Sequence, residues 1–438
     1  VRATLERPVD GASLAMFRIA FGVVMLIAIV RFAAMGWIDE LYVRPTFHFA
    51  FWGFEWVRPW PGIGMHVHFA ALGVLAAMIA LGVRARVAAL LFTIGFAYVE
   101  LCDATYYLNH YYAIVLFGAL LAATPCDRVF AWDARGRRDH DVPFAAILAL
   151  RAQLGIVYVF AGLAKLNADW LVHGEPLRTW LLARTDVPIL GPLFVHHEVA
   201  LAMSWAGALF DLSIPFLLSS RRTRALAYVA VVAFHLTTAA LFRIGMFPWV
   251  MIALTPIFFA PDWPRRLRRA APIERARERI VISPLVLAAL GAWMLVQIAL
   301  PLRHLAYDRD VYAGDRLWTG EGMRWAWHVM ISERAGLAEL RAIDDEGRSY
   351  TIDPSRELTP LQVRMMAIEP DLLLRYAHHV RDEHARRGEH VRVHADVFVS
   401  LNGRRSRRLV DPEVDLASQD DGLGGYAWVY RRDEAPLE

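Results

Sequence analysis

The sequence predicts a mainly α membrane protein: a polytopic helical bundle of about nine spans over residues 1–302, then an extracytoplasmic, β-rich α+β domain over 303–438. Three observations carry this. Hydrophobic residues make up 57% of the 438, only 21% are charged and mean hydropathy is +0.34, more apolar than an ordinary soluble fold of this length. The apolar residues fall in repeated stretches of roughly 15–25, long enough for helices to cross hydrocarbon. The connections between those stretches alternate between arginine-rich and arginine-poor.

Taken in order, the spans fall near 12–35, 66–81, 87–101, 107–123, 144–164, 199–218, 225–242, 247–260 and 280–300. Several are shorter than a full crossing and are also compatible with tilted or re-entrant segments. The first is longer than a signal-peptide core and lacks a small-residue cleavage pattern, which argues against a cleaved leader. The chain has 15 tryptophans, and its tyrosines cluster at span ends, as an interfacial belt requires.

Loop charge orients these spans. One alternate set of connections, from Arg2 and Arg7 to the run at 265–279, holds eighteen basic residues. The other holds six: Arg44, Arg58, Lys165, Arg178, Arg184 and Arg243. The positive-inside rule then puts the N-terminus in the cytoplasm and, after nine crossings, the tail outside it.

The tail differs in character. Alternation at 324–331 and 391–399, with turn signals at Asp344-Asp-Glu-Gly347 and Asn402-Gly403, predicts strands and hairpins. Between them, 359–387 has helical periodicity. The two cysteines, Cys102 and Cys126, fall at opposite ends of one span and cannot pair.

Composition and motifs exclude several functions. The net charge of +3 has its basic residues dispersed through short loops and gathered on no single soluble face, so no nucleic-acid partner is expected. No metal is expected either. His66-Val-His68 and His196-His197-Glu198 lack the repeated His boxes of a membrane di-iron enzyme, and no His-Glu-x-x-His occurs. His378-His379 reads as a solvated helix face. No Gly-rich phosphate loop or Gly-x-Ser-x-Gly elbow has a credible context.

The chemistry-bearing residue is a lone lysine. Lys165 is the only one in the chain, set against 46 arginines, and it closes the fifth apolar stretch. A guanidinium stays protonated in any protein, whereas a desolvated amine can shed its proton and act as a base. His110, Lys165, His235 and Arg243 fall at the outer ends of, or within, different spans, so the topology lets them converge in one outward-facing cavity. Asp211, inside the sixth span, is expected to pair with one of the basic groups. Blander readings stand beside these. Lys165 is also placed to snorkel to the interface, His110 and His235 to tie helices together, and Arg243 to meet lipid headgroups.

Several segments resemble the vitamin K-dependent gamma-carboxylase family and its bacterial relatives, which share a horizontally transferred transmembrane domain. They are Asn109-His110-Tyr111-Tyr112, Ala161-Gly-Leu-Ala-Lys165-Leu-Asn-Ala-Asp-Trp170, Leu209-Phe-Asp211-Leu212, Phe234-His235-Leu, Phe242-Arg243-Ile-Gly-Met-Phe-Pro248, Arg303-His-Leu-Ala-Tyr307 and Leu317-Trp-Thr-Gly-Glu-Gly-Met-Arg-Trp-Ala-Trp-His-Val-Met330. These run in the family's order over roughly residues 10–344.

The resemblance implies carboxylation of glutamate side chains in a protein or peptide substrate, coupled to epoxidation of vitamin K hydroquinone or, in a bacterial inner membrane, menaquinol, with O2 and CO2 consumed. It matches Lys165 to the base that deprotonates the hydroquinone and His110 to a group handling the glutamyl carbanion. His235, Arg243, Asn109, Tyr111, Asp211 and Trp170 would line the quinol or substrate pocket. Membrane lipid and a lipid-soluble quinol are the implied partners. The chain departs from the animal enzymes in lacking their longer luminal region and its disulfide, and in having Ala164 where they carry a second lysine. Two other functions fit the same residues: a quinol oxygenase or epoxidase that carboxylates no protein, and a non-catalytic transport or assembly protein.

Overall fold

A computed structural model describes the chain except residues 138, 243, 268–277, 308–314, 423–424 and 438. Arg138, Arg243, Arg268, Arg269, Arg275 and Arg277, all used in the loop-charge argument, therefore lie outside the described residues.

Each predicted span falls on a helix. Among the described residues, six helices are long and apolar enough to cross a membrane: Ala12–Ala34, Gly64–Leu81, Phe144–Ala164, His197–Ser219, Arg224–Leu241, and Pro284–Ala306 with its last turn in 3-10 form. Ala85–Leu101, at 17 residues, and Asn109–Ala123, at 15, are shorter, as is Phe247–Phe258, whose final turn is also 3-10. A helix rises about 1.5 Å per residue, so 15 residues reach only part of the way across hydrocarbon unaided.

The helices pack through aromatic edges and small residues. Phe17 meets Phe117 and Phe21 meets Phe92 edge-on, with ring centroids 5.7 and 5.8 Å apart. At one end of the bundle, strands β1 (Pro8–Asp10) and β2 (Asp141–Pro143) pair antiparallel, and Arg265 bonds Asp10 at 2.7 Å. Arg18, fully buried, donates to the carbonyls of Ile79, Ala80, Cys126 and Phe130 at 2.5–3.1 Å. Those four oxygens belong to the last turn of one helix and to a neighbouring loop, where backbone acceptors lack helical donors. Cys102 and Cys126 are free and buried.

The C-terminal part covers the opposite end. Its sheet has the order β4-β3-β5-β6, antiparallel throughout, from β3 (Arg334–Asp344), β4 (Ser349–Ile352), β5 (Val391–Leu401) and β6 (Arg407–Arg408). The predicted alternation at 391–399 falls on β5, whose odd-numbered residues from Val393 to Leu401 are buried. Gly347, at φ +78, makes the β3–β4 turn. The helical stretch divides into Pro360–Met366 and Pro370–Ala385, because a residue that precedes proline is disfavoured in the α region.

Two tail predictions are corrected. Residues 324–331 form no strand; Trp325, Trp327 and Met330 have positive φ. The alternation there reflects two separate anchor points. Trp327 stacks on Tyr112 at 5.1 Å within the helical core, while Trp325 packs against Phe51 at 5.4 Å. His378-His379 is no solvated face either. His378 bonds the Gln419 carbonyl at 2.8 Å and His379 bonds Glu357 at 3.1 Å, its ring 4.3 Å from Phe47.

Candidate active site at the capped end of the bundle

Lys165 is the C-cap residue of Phe144–Ala164. It is 5% exposed, so it does not snorkel. Its Nζ donates to Asp211 Oδ2 at 2.8 Å and to the Ala161 carbonyl at 3.1 Å. The pairing expected of Asp211 is thus made with the lysine. Glycine makes it possible: a Cβ on Gly162 would lie 2.8 Å from the Leu212 side chain and 3.0 Å from its backbone nitrogen. The two helices approach closely only because residue 162 has no side chain. Pro215, four residues beyond Asp211, has no N–H to give the Asp211 carbonyl.

Trp170 completes the immediate surroundings. Asn167 caps the short helix Ala168–Leu171 by accepting from Trp170 N at 2.9 Å. The indole then bonds the Ser204 carbonyl at 2.7 Å and sets its ring centroid 5.2 Å from the lysine nitrogen, a cation–π distance when the amine is charged.

Tyr158 and Lys165 lie two turns apart on one face of the helix. The Tyr158 hydroxyl meets His235 Nε2 at 3.1 Å, with His235 2% exposed. Phe210, next to Asp211, stacks on Phe234 at 4.1 Å and presents its ring to both Tyr158 and His235. Phe247 then stands between the two imidazoles, 5.7 Å from His235 and 5.9 Å from His110. His110 and His235 are therefore joined by one aromatic chain that runs on to Phe210, the sequence neighbour of Asp211; among the described residues no hydrogen bond links Lys165 to either imidazole. Arg243 lies outside the described residues.

Asn109 and Tyr111 flank His110 differently. Tyr111 packs against the His110 ring at 4.6 Å and Phe96 at 5.6 Å. Asn109 accepts from the Tyr107 hydroxyl at 3.1 Å and donates to the His328 carbonyl at 3.1 Å. That contact brings the C-terminal part onto the first turn of Asn109–Ala123. Burial, with the Arg316 guanidinium beside it, pushes His328 down to about 3, so its ring is neutral at physiological pH.

Sequence reasoning missed the clasps that hold this end together. Asp169 takes a bidentate pair from Arg404 at 2.6 and 2.7 Å and a further bond from Asn402 at 2.7 Å. Burial pushes the Asp169 carboxyl up, but the bonds from Arg404 and Asn402 outweigh it and hold the group below its ordinary value. Asp103 accepts from Gln362 at 2.8 Å, while Gln362 also forms a capping box with Thr359. The Thr-x-x-Gln spacing was a visible signal for the cap, and the i, i+7 spacing to Lys165 was one for Tyr158. Nothing local announced the Asp169–Arg404 pair. A cleft of about 610 Å³ lined by Arg404, Arg405, Arg407 and Arg432 lies in the C-terminal part; Lys165 and the imidazoles are not among its lining residues, so the cleft does not locate the chemistry.

Comparison with known families agrees with these features. Residues 6–263 match the HTTM domain, and residues 282–435 match the vitamin K-dependent gamma-carboxylase, lumenal domain. No solved structure matches the chain. The lumenal match indicates an extracytoplasmic C-terminal part, and the family implies a vitamin K cofactor. With more than half its length in the first match and most of the remainder in the second, this carboxylase-like membrane protein belongs to the vitamin K-dependent gamma-carboxylase family.

Proposed function

We propose that the protein is a quinol-dependent gamma-glutamyl carboxylase, with Lys165 as the base that takes a proton from the hydroquinone hydroxyl. The observation that carries this is the burial of the chain's single amine against Asp211 and Trp170, at the end of the bundle that also holds both imidazoles. Those residues suit a quinone headgroup. Trp170, Phe210, Phe234 and Phe247 supply flat apolar walls, and Lys165 and His235 supply polar contacts.

Bound vitamin K hydroquinone, or menaquinol in a bacterial membrane, supplies with O2 the strong base that a glutamyl γ-proton requires, and leaves as epoxide and water. The chain's own groups do the rest. Asp211, at 2.8 Å, is the nearest acceptor for the proton that Lys165 must shed before it works as a base. His110 orients the glutamyl side chain, whose γ-proton leaves to that strong base and ends in water while the new C–C bond to CO2 takes the place of the C–H bond. The aromatic residues keep water from the reacting groups. Loop charge supports an N-terminus in the cytoplasm, so a Glu-containing protein or peptide would arrive from the other side.

A non-catalytic reading has one observation in its favour, because a buried Lys–Asp pair can simply tie two helices. Incubating purified protein with reduced vitamin K, O2, labelled bicarbonate and a Glu-rich peptide separates the alternatives. Label in the peptide is the expected result. Epoxide without label identifies an epoxidase, and neither product identifies a structural pair.

A further inference from the structure

Between Phe144–Ala164 and His197–Ser219 the chain does not loop freely. Residues 187–195, Val-Pro-Ile-Leu-Gly-Pro-Leu-Phe-Val, are nine consecutive uncharged residues that cannot span a bilayer. Phe194 is buried in a small core with Trp170, Leu177, Leu181 and Leu241. Val187 packs against the same core, half-buried, while the remaining large side chains point away from it: Ile189 is 91% exposed, Val195 56%, and Leu190 and Leu193 48% each. Leu182, just before the run, is 46% exposed.

The run is held in place. Arg184 bonds the Leu241 and Ala240 carbonyls, capping the end of Arg224–Leu241. From above, Trp180 donates to Glu333 of the C-terminal part at 2.7 Å. Gly191 closes the turn so tightly that a Cβ would fall 2.2 Å from the Thr185 carbonyl oxygen. Ile189, at the tip, has φ +68, a conformation rare for a β-branched residue. A strained backbone and five outward apolar side chains form a fixed protrusion that no described residue covers.

We infer that 187–195 is a foot seated in the bilayer leaflet on the side of the C-terminal part, its outward side chains surrounded by lipid acyl chains. Continuity argues for lipid. On the adjoining span ends Leu163, Leu166, Val172, Trp205 and Leu209 are also exposed, at 44–61%, so the foot extends the membrane-facing surface beyond the last helical turns. Its polar edge, Asp186 with Arg184 on one flank and His196 on the other, sits where headgroups would meet it. The foot adjoins the Lys165 end of the bundle, yet the inference holds or fails independently of carboxylation.

Cysteine labelling tests it on the full chain, since Cys102 and Cys126 are buried. Ile189→Cys and, separately, Leu193→Cys would carry an environment-sensitive fluorophore in lipid nanodiscs, with Tyr350→Cys on β4 as the water-exposed reference. The foot predicts blue-shifted emission at both positions, quenching by lipids brominated on their acyl chains, and resistance to aqueous iodide. Iodide quenching equal to the reference would overturn it. Shielding from both quenchers would overturn it too, because the run would then lie against protein. Two sites guard against one variant misfolding, and gel filtration of each confirms that the labelled protein is intact.

Discussion

The two ends of the bundle each bury a cation, and they satisfy it in opposite ways. Arg18 gives its donors to four backbone carbonyls, none of which can take a proton. Lys165 faces one carboxylate, one carbonyl and an indole. The first arrangement fixes a permanent charge and stitches helix ends to a loop. The second places a removable proton 2.8 Å from an atom that can hold it. A buried charge with only backbone partners is a structural part, whereas one with a titratable partner is equipped for chemistry.

Exchanging the two cations is the most severe trial of that contrast. Lys165→Arg should lower epoxide formation by roughly 10²–10⁴-fold, the range of a lost general base, while the protein still purifies as a monodisperse membrane protein. Arg18→Lys should do the reverse. Fewer donors leave buried carbonyls unpaired at a cost of about 1–3 kcal/mol, seen as a lower melting temperature, with epoxidation per folded molecule unchanged. Equal effects of both substitutions on turnover would erase the distinction.

His110→Ala probes whether the capped end divides its labour. Carboxylation should fall by on the order of 10²-fold, with a smaller loss of epoxide, measured side by side in one assay. Parallel losses would make His110 a packing residue beside Phe247.

The smallest expected effect concerns the clasp above Lys165. The Asp169 carboxyl titrates below its ordinary value of about 3.9. The Arg404 clasp therefore contributes fully above that value and is lost as pH falls through the lowered one. Hydrogen exchange at 165–175 should stay slow from neutral pH to about pH 4 and rise below it. In Asp169→Asn it should be faster at neutral pH and flat across the same range. An unchanged profile in the variant would remove the clasp from the site.

Much of this was legible in the sequence wherever the signal was local. Hydropathy put each drawn span on a helix, six of those described being long enough to cross a membrane, β5 followed from alternation, and Lys165 stood out because no other lysine exists. The misreadings have physical causes. Trp325 and Trp327 mimic a strand, though their spacing serves two different aromatic partners, Phe51 and Tyr112. His378 and His379 looked solvated because their partners, Gln419 and Glu357, are distant in sequence. Arg18 gave no warning, since its four acceptors are backbone carbonyls, which composition does not encode. Asp211 was found, yet the closeness of its carboxylate to Lys165 depends on Gly162 facing Leu212.

Chemical rescue puts the question to Lys165 most plainly. In Lys165→Ala, small primary amines added to the assay should restore epoxide formation in proportion to the free-amine concentration, and guanidine at equal concentration should not. Rescue by guanidine as effective as by amines, or no rescue in a protein shown to be folded, would mean that a charge, and not a base, is what this position provides.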